Sequence, residues 1–310
     1  MFKNSPNDVL RVREALKLAS LNNMMCSVFG KIYDLDSFNL ETEELMKLID
    51  EGYELFGMLN WSDHFSWSAK FNPQRIKYRC SELVPKVNRF RKISRSDMIA
   101  VLWEMIFRGT DAVAVLVEWI LARMVLHPDA QSKVQVEKDS VVRRSRAVTE
   151  SDISEMIYLS AVVKEVLRLH PPGALLSWSR LAITDTTVDG YHVPAGTTAM
   201  VNMWVITRDA YVWADPLRFK PKRFMNNAHS DVYFSVLGSD TRLTPFGFGR
   251  RSFPGKTLGL TTVTFWVSTL LHEFEFEPNS NVDLSEVLKL SCEMTYPLMV
   301  KIRSRRATSN

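Results

Sequence analysis

Glu165 and Arg168 stand three residues apart, a spacing that puts a carboxylate and a guanidinium on one face of a helix. A second guanidinium follows in Pro221-Lys222-Arg223-Phe224. A glycine- and arginine-rich loop, Phe246-Gly247-Phe248-Gly249-Arg250-Arg251-Ser252-Phe253-Pro254-Gly255, comes after it. Upstream, Gly109-Thr110-Asp111-Ala112 places a glycine, a hydroxyl and an acid inside a long apolar run. Each motif alone is weak. An i,i+3 ion pair is usually a surface feature, and a Pro-x-Arg-Phe sequence suits any turn. Glycine inside a helix costs about 1 kcal/mol against alanine, so Gly109 calls for a close approach by a ligand or another backbone. Gly255-Lys256-Thr257 ends like a phosphate-binding loop, but the first glycine would fall at Arg250 and no clean strand precedes it. Cys26, Cys80 and Cys292 share no short spacing, so neither a zinc site nor a disulfide framework is implied. His64, His127, His170, His192, His229 and His272 are scattered and read as surface or packing residues.

The 310 residues are 46% hydrophobic and 24% charged, enough for one large core or two domains and too apolar for wholesale disorder. A net charge of +4 is only mildly basic and is no nucleic-acid signature. Much of the excess lies in Lys301-Ile302-Arg303-Ser304-Arg305-Arg306, which reads as a solvated end. The first residues are polar, with neither a signal peptide nor an anchor among them. Met98 to Leu126 is long enough to span a bilayer, but Glu104, Arg108, Asp111, Glu118 and Arg123 interrupt it. It reads as a helix buried in protein.

The elements that must position these groups follow from pattern and punctuation. Residues 8–58 and 74–90 read as helical, with a loop near Ser62–Lys70 and at Pro73. Ser96 caps a long helix that stops before Pro128. A loop from Lys138 to Thr149 leads to a helix from about Glu155 to His170, closed by Pro171-Pro172. Asp189-Gly190 predicts a hairpin between Thr184–Val188 and Tyr191–Val193. Thr197–Trp204 is β-prone, 208–256 is a long ordered loop, helix returns over Lys256–Leu271, and 274–303 alternates strands and turns.

The order of these motifs is far more specific than any one of them. A long helix with Gly-Thr-Asp, a Glu-x-x-Arg helix ending in Pro-Pro, a small sheet, a Pro-x-Arg-Phe loop, the Phe246–Gly255 loop and a final helix resemble the C-terminal half of cytochrome P450. The segments Ala19–Gly30, Asp97–Asp111 and Gly190–Trp204 are similar to the plant family 78, the KLUH-like group linked to organ growth. The resemblance implies a mainly α partial P450 fold with small β-sheets. Residues 1–310 would form one incomplete catalytic domain, with a helical part at 1–92 and the remaining elements at 93–310. It implies a haem cofactor and electrons from NADPH–cytochrome P450 reductase. The substrate would be a hydrophobic small molecule such as a fatty acid, and no nucleic-acid partner is expected. Glu165, Arg168 and Arg223 would form a structural triad beneath the haem. Arg180 and Arg251 would meet its propionates, and Phe246 would lie against the ligand loop. Gly249 and Gly255 would let backbone approach the porphyrin, and Gly109, Thr110, Asp111 and Ala112 would line the oxygen-binding kink.

The chain also departs from the family pattern. Phe253 stands at the position of the cysteine ligand, so no metal ligand is assigned. Ala112 replaces a threonine common in relatives, and Lys222 a usual glutamate. Members of the family also have an N-terminal anchor, a hinge and a Trp-x-x-x-Arg helix, and a gap lies near Arg91-Lys92. These departures predict a degenerate, inactive member that is cytosolic or peripheral to a membrane. Two alternatives stay open. One is a working monooxygenase, if Phe253 and the short N-terminus come from an error of sequence or gene model. The other is a non-enzymatic binding protein.

Overall fold

The described residues open on a strand where periodicity predicts helix throughout residues 8–58. In the computed structural model, Val9–Arg11 (β1) pairs antiparallel with Met299–Ser304 (β9), with Leu10 opposite Val300. Three residues are too few to show a period, and only the partner strand, nearly 300 residues away, decides their conformation. The structure describes residues 9–30, 40–58, 74–89, 96–142, 146–175, 180–225, 236, 240–249 and 252–305. At 28–29, 40–43, 45, 56, 87–89, 96–108 and 180 it describes backbone alone. The expected loop at Ser62–Lys70 and Pro73 lies outside the described residues.

Helix α1 (Val12–Phe29) ends at Gly30, whose φ of 64° lets its N–H reach the Cys26 and Met25 carbonyls. Helices α2 (Leu40–Gly57) and α3 (Ile76–Arg89) follow. The long helix α4 (Ser96–Leu126) stops before Pro128, as the sequence predicts. Pro128 opens α5 (Pro128–Val141) at a position where its missing N–H has no intrahelical acceptor. Helix α5 takes in the first four residues, Lys138 to Val141, of the segment read as a loop. A 3₁₀ turn (Glu150–Glu155) begins with a capping box between Thr149 and Asp152 and leads into α6 (Ile157–Leu169).

Helix α4 is the centre of the core. Ala114, Val117, Trp119, Ile120 and Met124 have no exposed surface. A helix apolar on all sides must be surrounded, and α1, α6 and the last helix, α8 (Lys256–Glu273), pack around it. Among the described residues no helix is long and apolar enough to cross a membrane.

The sheets are small and antiparallel. β1, β9 and β6 (Phe274–Pro278) form one of three strands in the order β1-β9-β6. The basic end is paired through its backbone as β9, the central strand, while its Lys301 and Arg303 side chains are exposed to solvent as expected. Arg303 pairs with Glu275 across it, and Arg305 with Asp139 at 2.9 Å. β2 (Arg180–Leu181) pairs with β5 (Thr198–Ala199), and β7 (Glu286–Leu288) with β8 (Cys292–Met294). β3 (Thr186–Val188) and β4 (Tyr191–Val193) form the predicted hairpin, with φ of 50° at Asp189 and 83° at Gly190 as a type I′ turn requires. Of the β-prone stretch Thr197–Trp204, only Thr198–Ala199 is strand. Asn202 then caps a single helical turn, α7 (Met203–Ile206), by accepting the Val205 N–H at 3.1 Å.

Candidate functional site

Helix α6 turns Leu159, Val162, Val163, Val166 and Leu167 into the core, which carries Glu165 and Arg168 inside with them. Neither charged side chain has any exposed surface. The Arg168 fork is bidentate on Glu165, at 2.9 and 2.8 Å. Its Nη1 also donates to the carbonyls of Thr207 and Pro216, at 2.8 and 2.7 Å. Arg223, in the 3₁₀ turn Pro221–Phe224, brings Nε to 3.0 Å from Glu165 Oε2. That contact is an ion pair and not an aligned hydrogen bond, because Nε meets no acceptor at hydrogen-bond geometry. The Lys220 N–H donates to the other oxygen of Glu165 at 2.8 Å, and the Arg168 guanidinium lies 5.2 Å from the Trp213 ring centroid. One buried carboxylate facing two guanidiniums is stable only where fixed dipoles share the excess charge. The carbonyls of 207, 214 and 216 supply those dipoles.

The described residues of the Phe246–Gly255 loop, 246–249 and 252–255, turn tightly. Gly247 and Gly249 have φ of 74° and 71°, a region open mainly to glycine. The Phe253 N–H donates to the Phe246 carbonyl at 2.8 Å. Phe246 is half-buried against the core. Gly255 is needed for space and not for its φ of −81°. A Cβ there would lie 3.0 Å from Cε1 of Phe253, so the ring rests on Gly255 and is 39% exposed. Arg251 and the Arg180 side chain lie outside the described residues. The Arg180 backbone pairs with Ala199.

At the centre of α4 the close approach at Gly109 is made by α1. A Cβ on Gly109 would lie 2.9 Å from Met24 Sδ, and the Gly109 carbonyl accepts from Ser20 Oγ at 3.2 Å. Thr110 and Asp111 are buried and Ala112 is half-buried. Asp111 pairs with Lys17 of α1 at 3.2 Å, beside Tyr53 of α2. Burial pushes the Asp111 carboxyl up, and Lys17 pulls it back. Burial also opposes the Lys17 charge, but Asp111, Asp50 and Glu293 together outweigh it and hold the ammonium above its usual range. No local spacing points to Lys17 or Tyr53, so sequence reasoning missed both.

It also missed a clasp at the end of α6. His170 stacks on Trp119 with centroids 3.8 Å apart. Arg123 donates to its Nε2 at 3.0 and 2.7 Å, and Glu286 meets Nδ1 at 2.5 Å. A guanidinium can only donate, so Nε2 accepts and the Nδ1–H donates to Glu286: the ring is neutral. Burial, with Arg123 and Arg208 beside it, pushes His170 down to about 4, although Glu286 pulls the other way. Glu286 accepts in addition from Trp204 Nε1 at 2.5 Å and from Arg208 at 3.1 Å. Only the Leu-His-Pro-Pro run hinted that this histidine ends a buried helix.

Residues 84–301 match the family model described as Cytochrome P450. The chain belongs to the cytochrome P450 family. It is 60% identical to Cytochrome P450 78A9 of Arabidopsis thaliana, an alignment covering 96% of this chain and 61% of that relative. Cytochrome P450 78A3 of Glycine max is 58% identical over 99% of this chain and 64% of its own length. Cytochrome P450 78A1 of Zea mays is 45% identical over 98% and 63%. The chain therefore spans a little over three-fifths of the length of these P450s. The mainly helical architecture with small antiparallel sheets is a partial P450 fold.

The family implies a haem held by a cysteine thiolate, and the donor set here does not fit one. Phe253 has no lone pair to offer iron. Cys26 is exposed on α1, Cys80 lies on α3, and Cys292 is buried in β8, where burial and then Glu286 push its thiol up to about 12. None of the three belongs to the Phe246–Gly255 loop.

Proposed function

We propose that this chain is a P450-family protein that, with the residues given, does not perform haem-thiolate monooxygenation. The observation that carries this reading is Phe253, whose side chain lies on Gly255 where the family's ligand would stand. The test is the carbon-monoxide difference spectrum of the reduced, purified protein with residue 253 verified. The expected result is no Soret band at the thiolate–CO position, and a clear band would overturn the reading. Residues 1–310 are read as one incomplete catalytic-type domain, supported by the packing of α1 along α4.

A second reading, a working monooxygenase with cysteine at 253, is favoured by the intact cluster of Glu165, Arg168 and Arg223. Haem would be its cofactor, and hydrophobic compounds such as fatty acids, acted on in plant organ growth, its substrates. P450s generally draw electrons from a redox-partner reductase, and that partner belongs to this reading too. Arg180 and Arg251 would face the propionates, Phe246, Gly249 and Gly255 the porphyrin, and Gly109, Thr110, Asp111 and Ala112 the oxygen side. Phe253→Cys separates the two readings. Weak, substoichiometric haem uptake without turnover supports the first, and stoichiometric haem with product formation supports the second.

A further inference from the structure

We propose that the free edge of β5 pairs antiparallel with β5 of a second copy of this chain, giving a symmetric dimer held by one continuous sheet, β2-β5-β5-β2. β2 and β5 make a sheet of only two strands, and among the described residues no strand pairs with the other side of β5. A two-stranded ribbon is at best marginally stable by itself. The Ala182 N–H donates to the Thr197 carbonyl, so Ala182 and Thr197 are a hydrogen-bonded pair. Leu181 and Thr198, next in register, are then a non-bonded pair. The N–H and C=O of Thr198 therefore point away from β2, and Met200, two residues on, has the same phase.

Three observations select a second copy as the occupant of this edge. The edge is unguarded. Edge strands are commonly protected by charges or proline, but no Asp, Glu, Lys or Arg occurs from Gly190 to Thr207, and residues 197–201 are all exposed and contain no proline. Two such edges do not repel each other. The edge is also self-complementary. A two-fold axis at Ala199 sets Thr198 of each copy against Met200 of the other, and the outward N–H and C=O groups satisfy one another on both sides of the axis. The two Ala199 side chains meet at the non-bonded pair, where strands come closest and small side chains fit. The third observation is apolar surface. Leu181, Thr198 and Met200 share one face by register, with Leu181 62% and Met200 63% exposed. Pairing lays Met200 of each copy against Thr198 of the other, beside Leu181. It also engages the β-prone stretch from Thr197, of which only Thr198–Ala199 is strand in the single chain.

The experiment is sedimentation equilibrium of the full chain from about 1 to 200 μM, the range in which a small interface associates. The mass is expected to rise from one copy towards two and to stop there. Ala199→Lys puts two ammonium groups face to face on the axis, and Met200→Pro removes an outward N–H without touching the β2–β5 pairing. Each is expected to weaken the dimer at least tenfold. Ile157→Lys, which is 61% exposed on α6 and outside the edge, leaves it unchanged. In a Cys26→Ser background, Ala199→Cys is expected to give a disulfide-linked dimer under mild oxidation, because a non-bonded pair brings Cα atoms to about 4.5 Å. Tyr211→Cys, at a fully exposed position off the edge, is not. A chain that stays monomeric throughout overturns the proposal, and so does a mass that grows beyond two copies. It is overturned equally if neither edge variant weakens association, or if Ala199→Cys cross-links no better than Tyr211→Cys.

Discussion

Lys17 of α1 and Asp111 of α4 meet 3.2 Å apart in the interior, where Asp111 is almost wholly withdrawn from solvent. Breaking a buried pair by removing one partner costs about 3–5 kcal/mol, because the other charge stays behind. Lys17 keeps some solvent contact, so Lys17→Met is expected at the low end, about 3 kcal/mol. Lys17→Met combined with Asp111→Leu should restore much of the loss. Urea melts of the single and double variants test this, and an additive double variant would contradict the pairing.

Glu165 holds Arg168 and Arg223 together, and Glu165→Gln leaves the two guanidiniums facing each other with no counter-charge. A loss of about 3–5 kcal/mol is expected from the buried Arg168 alone. Arg223→Lys keeps the charge but not the planar fork and should cost less. Thermal melts followed by circular dichroism rank the two. Equal destabilisation would argue that shape, and not charge, is what position 223 supplies.

Gly57 ends α2 against the β7–β8 turn: a Cβ there would lie 2.5 Å from the Leu290 backbone nitrogen. Backbone cannot yield as a flexible side chain does. Gly57→Ala is therefore expected to destabilise by about 1–3 kcal/mol, despite alanine's better helix propensity. A stabilised variant would mean that the hairpin does not pack there.

His170 gives the fold a pH dependence of defined sign. Its folded value of about 4 lies below the roughly 6.5 of an unfolded histidine. Between those values the unfolded chain binds more protons. The stability that neutral His170 contributes is complete above pH ~6.5 and is lost as pH falls towards 4. Arg123, Glu286 and Trp119 all face the ring, so the effect depends on the whole clasp. Stability should fall by on the order of 2–3 kcal/mol across that window, and His170→Phe should flatten this part of the profile. An unchanged slope in the variant would place the titrating group elsewhere.

Local signals carried much of this protein. The Asp189-Gly190 turn, the stop before Pro128, the i,i+3 spacing of Glu165 and Arg168, and the run from Phe246 to Gly255 each depend on a few adjacent residues, and the sequence displays them directly. Phe253 at the ligand position is likewise a fact of residue type, legible without coordinates. The tertiary structure alone decided that Val9–Arg11 is a strand and that the basic end is the middle of a sheet. It alone placed α1 against Gly109, paired Lys17 with Asp111, and gathered His170, Trp204, Arg208 and Glu286 into one clasp. These features join residues scores to hundreds of positions apart. A contact of that range leaves no period or spacing in the chain, because packing selects the partner only after the core has closed.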